Sequence, residues 1–195
     1  MKRLFGRICA VLMCAAMILS FSACESGGGS GETVAPASAK AAETVGDGKR
    51  VYFAGPLFSQ SVKDFNAEIA AVLEEYGYEV FLPQRDGIEA AQLEGKSEEE
   101  LIRMIFDLDS SEVTKADILF LNLDGRVPDE GAAVELGIAF GSGKRCYGFK
   151  TDTRSIELGL DLNPMISGCM IKIFKNYDGE QLIREIKEYL SENEL

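Results

Sequence analysis

Glu135 is the one charged residue in the apolar stretch Gly131-Ala132-Ala133-Val134-Glu135-Leu136-Gly137-Ile138-Ala139-Phe140-Gly141. A helix that is apolar all round is normally buried, and a lone buried carboxylate is costly unless it is paired or used. Such a group suits nucleophilic or acid–base work on a small ligand. Gly131, Ala132 and Ala133 beside it would let a ligand approach the backbone. The helix N-terminus, within two turns, favours the ionised carboxylate. Asp129 takes the N-cap position, six residues before Glu135, and projects from the helix mouth. The two carboxylates could flank one ligand. Equally, Asp129 could serve only as a cap, and Glu135 could face solvent from a narrow stripe.

Composition narrows the chemistry. The sequence contains no histidine, which excludes a Ser-His-Asp or Cys-His relay and any histidine-held metal. Lys+Arg number 20 and Asp+Glu 32, a net charge of −12, so the chain repels phosphate backbones and nucleic acid is not an expected partner. Acid–base and nucleophilic work therefore falls to carboxylates, Tyr, Lys, Cys or Ser. The spacing of Cys146 and Cys169 is no metal motif, and they read as two small apolar residues.

The elements that must position Glu135 follow from periodicity. Arg50–Ala54, Glu79–Leu82, Ile118–Leu121, Arg145–Phe149 and Met170–Phe174 are short apolar runs bounded by turn residues, and predict five strands. Val62, Phe65, Ile69, Val72, Leu73 and Tyr76 recur at helical spacing, and Gly77 ends that helix. Gln84–Lys96 is polar and reads as a loop. Ser97 with Glu100 forms a capping box that opens a helix reaching toward Ala116, with room for a break. Glu130–Phe140 is the helix that carries Glu135, and Leu182, Ile183, Ile186, Tyr189 and Leu190 mark a closing amphipathic helix. Strand–helix alternation predicts an α/β domain on a five-stranded, mainly parallel sheet, with ligands beyond the carboxyl ends of the strands.

The first fifty residues have a different character. Lys2, Arg3 and Arg7 precede the uncharged stretch Ile8–Ala23, the layout of a secretory signal peptide over residues 1–23. Its 12-residue apolar core, Ile8–Leu19, falls short of the roughly 20 residues a spanning helix needs. Phe21-Ser22-Ala23-Cys24 resembles a bacterial lipobox, which implies lipidation of Cys24; the plain alternative is a conventional signal peptide. Residues 24–49 read as a flexible linker, since Gly, Ala and Ser make up 14 of residues 25–49. The expectation is an exported domain, residues 50–195, held to a bacterial membrane only through N-terminal lipid.

Asp129-Glu130-Gly131-Ala132-Ala133-Val134-Glu135-Leu136-Gly137 resembles the Asp-x-Gly-x-x-x-Glu-Leu-Gly signature of the nucleoside 2-deoxyribosyltransferase family. Three further matches lie in order: Val51-Tyr52-Phe53-Ala54-Gly55-Pro56-Leu57-Phe58 as opening strand and loop, Asp109 as helix aspartate, and Asn163-Pro164-Met165 as the Asn-x-Met segment. The resemblance spans about residues 50 to 174. It implies a flavodoxin-like three-layer domain, a homo-oligomer and no metal or organic cofactor. The ligands implied are deoxynucleosides and free nucleobases.

The resemblance also implies a role for each matched residue. Glu135 would be the nucleophile, positioned by Tyr52, with Asp109 meeting the base and helping its protonation. Asp129 and Asn163 would hold the sugar 5′-hydroxyl, Asn163 reaching in from a neighbouring subunit. Met165 would pack beside the nucleophile. Gln84 and Asp86 lie in the loop that would contact the base, a looser match. Ala132 stands where many members have Thr, and Asp129 would repel a 5′-phosphate. Breaking the N-glycosidic bond through a covalent glycosyl-Glu135, with retention, needs only such carboxylates. Three other readings remain: a nucleoside or deoxynucleoside monophosphate hydrolase, a lipid-tethered nucleoside-binding protein without turnover, and a structural α/β lipoprotein whose motif match is accidental.

Overall fold

The computed structural model describes residues 45–154 and 159–195. The signal peptide, Cys24 and most of the linker lie outside these residues. The part of the linker that is described, Val45–Lys49, forms a turn bonded into the domain: the Gly46 N–H donates to the Tyr76 carbonyl at 2.8 Å and that of Gly48 to the Gly77 carbonyl at 3.0 Å.

The apolar runs become β1 (Arg50–Ala54), β2 (Glu79–Phe81), β3 (Ile118–Asn122), β4 (Arg145–Lys150) and β5 (Lys172–Lys175), in one sheet of order β2-β1-β3-β4-β5. Every pairing is parallel, so the mainly parallel expectation becomes a wholly parallel sheet. This is the flavodoxin-like strand order. β5 starts two residues later than Met170 because the ladder opens with the Ile171 N–H donating to the Cys146 carbonyl at 2.7 Å.

Side chains alternate across the strands. Val51, Phe53, Ile118, Phe120, Tyr147 and Phe149 face α1 (Gln60–Glu75) and the C-terminal helix, which spans Gly179–Glu192. Tyr52, Ala54, Leu119, Leu121 and Cys146 face the opposite layer. That layer holds the helix Glu98–Lys115 before β3 and the helix Glu130–Gly141 after it.

The polar stretch Gln84–Lys96 is not the plain loop expected. It contains the single-turn helices α2 (Pro83–Asp86) and α3 (Ala90–Leu93). Pro83 opens α2, and a reciprocal Glu89–Gln92 capping box opens α3. Numbered in chain order, the helix Glu98–Lys115 is α4 and runs without a break from its Ser97–Glu100 capping box. The helix Glu130–Gly141 is α5, the one-turn helix Pro164–Ser167 is α6, and Gly179–Glu192 is α7.

α5 departs from the expectation of burial all round. Only Ala132, Leu136 and Ala139 are fully buried, while Val134 and Phe140 are more than half exposed. The carboxyl ends of β1, β3 and β4 lie on one rim of the parallel sheet. A Cβ on Gly55 would lie 2.7 Å from the Asn122 Cβ, so the close approach of β1 and β3 there requires glycine.

Candidate active site

Tyr52 leaves the buried middle of β1 on the α4/α5 side of the sheet. Its ring stacks on Phe81, with centroids 5.6 Å apart and planes at 16°. The phenol is fully buried, and its hydroxyl donates to Glu135 Oε1 at 2.8 Å. Burial holds the Tyr52 phenol far above its usual range, and the negative charges of Glu135 and Asp109 push in the same direction. Tyr52 therefore stays protonated and acts as a donor.

Glu135 is pushed up to about 7, first by burial, against the opposing pull of the Tyr52 hydrogen bond, and further by the charges of Asp109 and Asp129. Asp109, half-buried on α4, is also raised by burial, and the neighbouring Tyr52 hydroxyl opposes the rise. Asp129 caps α5, accepting from the Ala132 N–H at 2.9 Å. A Cβ on Gly131 would lie 3.1 Å from Asp129 Oδ1, so glycine there leaves the Asp129 carboxylate uncrowded. Tyr52, Glu135, Asp109 and Asp129 form one electrostatically linked group.

Asp129 also lines a hollow of about 790 Å³ with Pro56, Phe58, Asp124, Asn163 and Met165. Asn163 and Met165 thus share a hollow with Asp129, while Glu135 and Asp109 are not part of its lining. Met165 is 79% exposed, and the Asn163 side chain accepts from the Met165 N–H at 2.9 Å. Neither is bonded to Glu135.

Gln84 and Asp86 each hold the start of α2 by hydrogen bonds. Gln84 Nε2 donates to the Lys63 carbonyl at 2.7 Å, tying α2 to α1. Asp86 accepts from the Leu82 N–H at 2.9 Å and from Arg85. Burial raises the Asp86 carboxyl, but the Arg85 and Leu82 bonds outweigh it and hold the group below its ordinary value.

Two polar features went unread in the sequence. Asn66 and Asn122, both buried, join through Asn122 Nδ2 donating to Asn66 Oδ1 at 2.7 Å. Asn66 Nδ2 in turn donates to the Pro56 carbonyl at 3.1 Å, and Asn122 Oδ1 accepts from the Asp124 N–H at 2.9 Å. Asp124 accepts from the Thr151 N–H and hydroxyl, each at 2.6 Å, and from the Asp152 N–H at 2.8 Å. The loops after β1, β3 and β4 are therefore fastened together under the hollow. A polar residue in the middle of an apolar helix stripe, Asn66 between Val62 and Ile69, was the available signal.

Residues 51–191 match the family model for nucleoside 2-deoxyribosyltransferase. Among solved structures, a 2-deoxyribosyltransferase from Bacillus psychrosaccharolyticus is 25% identical, with 72% of this chain and 91% of that chain covered and a TM-score of 0.57. A conserved protein from Enterococcus faecalis V583 is also 25% identical, with 72% and 98% covered and a TM-score of 0.56. A 2-deoxyribosyltransferase from Leishmania mexicana, 21% identical with 72% and 98% covered and a TM-score of 0.51, shares the fold. No curated protein matches the chain.

Proposed function

The chain belongs to the nucleoside 2-deoxyribosyltransferase family, and from that premise we propose that it moves 2-deoxyribose between nucleobases through a covalent bond to Glu135. Family membership makes it a glycosyl-transferring enzyme; the covalent intermediate and the retained configuration are the further step. The observation that carries this reading is the buried Tyr52 hydroxyl donating to Glu135 at 2.8 Å. That bond fixes one carboxylate oxygen and leaves the other free to attack.

The ionised Glu135 attacks the anomeric carbon as the bond to the base breaks, and oxocarbenium character builds on the sugar. The Glu135 and Asp109 carboxyls share one proton; with it on Asp109, Glu135 is ionised, and Asp109 passes it to the departing base. A second base then attacks the glycosyl-Glu135 bond from the opposite side, returns its proton to Asp109, and frees Glu135. Two inversions give net retention. The small shielded setting weakens the hydration of the carboxylate, which favours attack.

Substrates are deoxynucleosides with a free 5′-hydroxyl. Asp124, Asp129 and Glu130 all line the hollow, and three carboxylates there repel a 5′-phosphate. Phe58, Val127 and Met165 around it are 85%, 65% and 79% exposed, which supports a homo-oligomer that covers them. Lipid on Cys24 would hold the exported enzyme at a bacterial membrane, a reading supported by the signal-like residues 1–23 alone.

The test is base exchange with the full chain, given a deoxynucleoside and a different free base. The new deoxynucleoside is expected to form with the wild type and to be lost with Glu135→Ala, and the deoxynucleoside monophosphate is expected to be a poor donor. Free deoxyribose as the main product would assign hydrolysis instead. Binding without either product would leave a nucleoside-binding protein.

A further inference from the structure

The two elements that carry Tyr52 and Asp109 are also joined by an ion pair, Arg50 with Glu112. Arg50 precedes Tyr52 by two residues on β1, so both side chains leave the same face of the sheet. Glu112 follows Asp109 by three on α4, so both lie on one helix face. The Arg50 guanidinium donates to Glu112 Oε2, and Lys115 Nζ donates to Glu112 Oε1 at 2.8 Å. Arg50 is itself held at the backbone: its N–H donates to Asp117 Oδ2 at 3.0 Å, and its carbonyl accepts from the Asp117 N–H at 2.9 Å.

The burial of α4 makes this pair decisive for its placement. Of its 18 residues only Glu112 and Val113 are fully buried, while Ile102, Ile105 and Phe106 are exposed. Apolar packing therefore contributes little to the position of the helix along its axis. A directional ion pair to a strand side chain sets that position well. Neither Arg50 nor Glu112 lines the hollow that holds Asp129, Asn163 and Met165.

We propose that Glu112 and Arg50 are positioning residues for transfer: their ion pair holds Asp109 against Tyr52 and cancels a negative charge that would otherwise join Glu135, Asp109 and Asp129. The proposal rests on the role given to Glu135 above. The groups that act on Glu135 are the Tyr52 hydroxyl from β1 and Asp109 from α4; Glu112 acts on Tyr52, and Arg50 and Lys115 meet this group through Glu112. Asp129 acts on it from the loop before α5, Asp117 at the entry to β3 is bonded to the Arg50 backbone, and Cys146 of β4 belongs to the same apolar layer as Tyr52. The charge of Glu112 acts on the Tyr52 phenol in the same direction as those of Glu135 and Asp109.

The two charges have opposite signs, which separates positioning from mere structural support. Glu112→Gln leaves Arg50 unpaired, and Arg50→Met leaves Glu112 with only the half-exposed Lys115. The experiment measures base exchange against pH on the full chain, together with titration of the Glu135 carboxyl by infrared difference spectroscopy, assigned with Glu135→Gln. Glu112→Gln is expected to move the ascending limb and the Glu135 titration down by about half a pH unit, and Arg50→Met to move both up by about as much. Each is expected to lower kcat about tenfold with KM changed little, since Asp109 is displaced. Arg50→Lys restores both the limb and most of kcat.

The double variant Arg50→Met/Glu112→Gln, in which no buried charge is left unpaired, serves where a single variant does not fold. Its limb returns to the wild-type position while kcat stays low. Limbs that stay put, or move the same way in both single variants, overturn the proposal, as does wild-type kcat in the double variant. Opposite movements of the Glu135 titration in the two single variants, with a wild type that makes no new deoxynucleoside, would uphold the charge coupling and sink the transferase reading.

Discussion

The Tyr52–Glu135 hydrogen bond joins residues 83 positions apart and opposes the rise that burial imposes on the proposed nucleophile. Tyr52→Phe keeps the stacking on Phe81 but removes the one contact that pulls the Glu135 carboxyl down. Its ascending pH limb is expected above that of the wild type, which should be centred near 7; kcat/KM at neutral pH should fall about tenfold. A limb that does not move would remove Tyr52 from the mechanism. The same shift acts on stability. Because burial raises Glu135 from 4.5 to about 7 in the folded chain, its protonated form contributes stability that is full below 4.5 and lost as pH rises through 7. The loss amounts to at most about 3 kcal/mol. Thermal unfolding from pH 4 to 9 should show the wild type losing stability across that window and Glu135→Gln losing less. Identical slopes would show that Glu135 is not shielded as described.

At the scale of elements, the carboxyl ends of β1, β3 and β4 are locked to one another before any ligand arrives. Asn66 and Asn122 tie the Pro56 loop to β3, and Asp124 ties the loop after β3 to Thr151. Gly55 completes this arrangement, since a methyl group there meets the Asn122 Cβ at 2.7 Å. Gly55→Ala is therefore expected to destabilise the fold by roughly 2 kcal/mol. It should also raise KM more than it lowers kcat, because the Pro56–Phe58 wall of the hollow moves while the Tyr52–Glu135 pair stays put. Denaturant unfolding and steady-state kinetics measure the two effects, and an unchanged KM would separate this loop from substrate binding. The α5 helix shows why composition alone misjudged its surroundings. Ala132, Leu136 and Ala139 suffice to seat it on the sheet, which leaves Val134 and Phe140 outside.

For the whole molecule, the proposed anchor and the proposed assembly meet in one experiment. Cys24→Ala is expected to move the protein from the membrane fraction to the soluble fraction of bacterial cells. Sedimentation of that soluble form should give a mass of at least two chains, because Phe58, Val127 and Met165 would otherwise stay in water. Wild type and variant fractionating alike would end the lipid-anchor reading, and a monomer would end the oligomer reading. Neither result bears on Glu135, whose partners Tyr52, Asp109 and Asp129 all come from the same chain.

The strand–helix alternation, the N-cap role of Asp129 and the identity of Glu135 as the unusual carboxylate were legible in the amino-acid sequence. Each is encoded locally, by period, by capping preference, or by one charge amid apolar neighbours. The sequence also displayed Tyr52 and Asp109, though only through resemblance, since nothing local distinguishes a strand tyrosine or a helix aspartate. The strand order, the meeting of Tyr52, Asp109 and Glu135, and the Arg50–Glu112 pair were decided by tertiary structure alone. These join residues from 26 to 83 positions apart, and no local pattern specifies which distant side chains a parallel sheet will bring face to face.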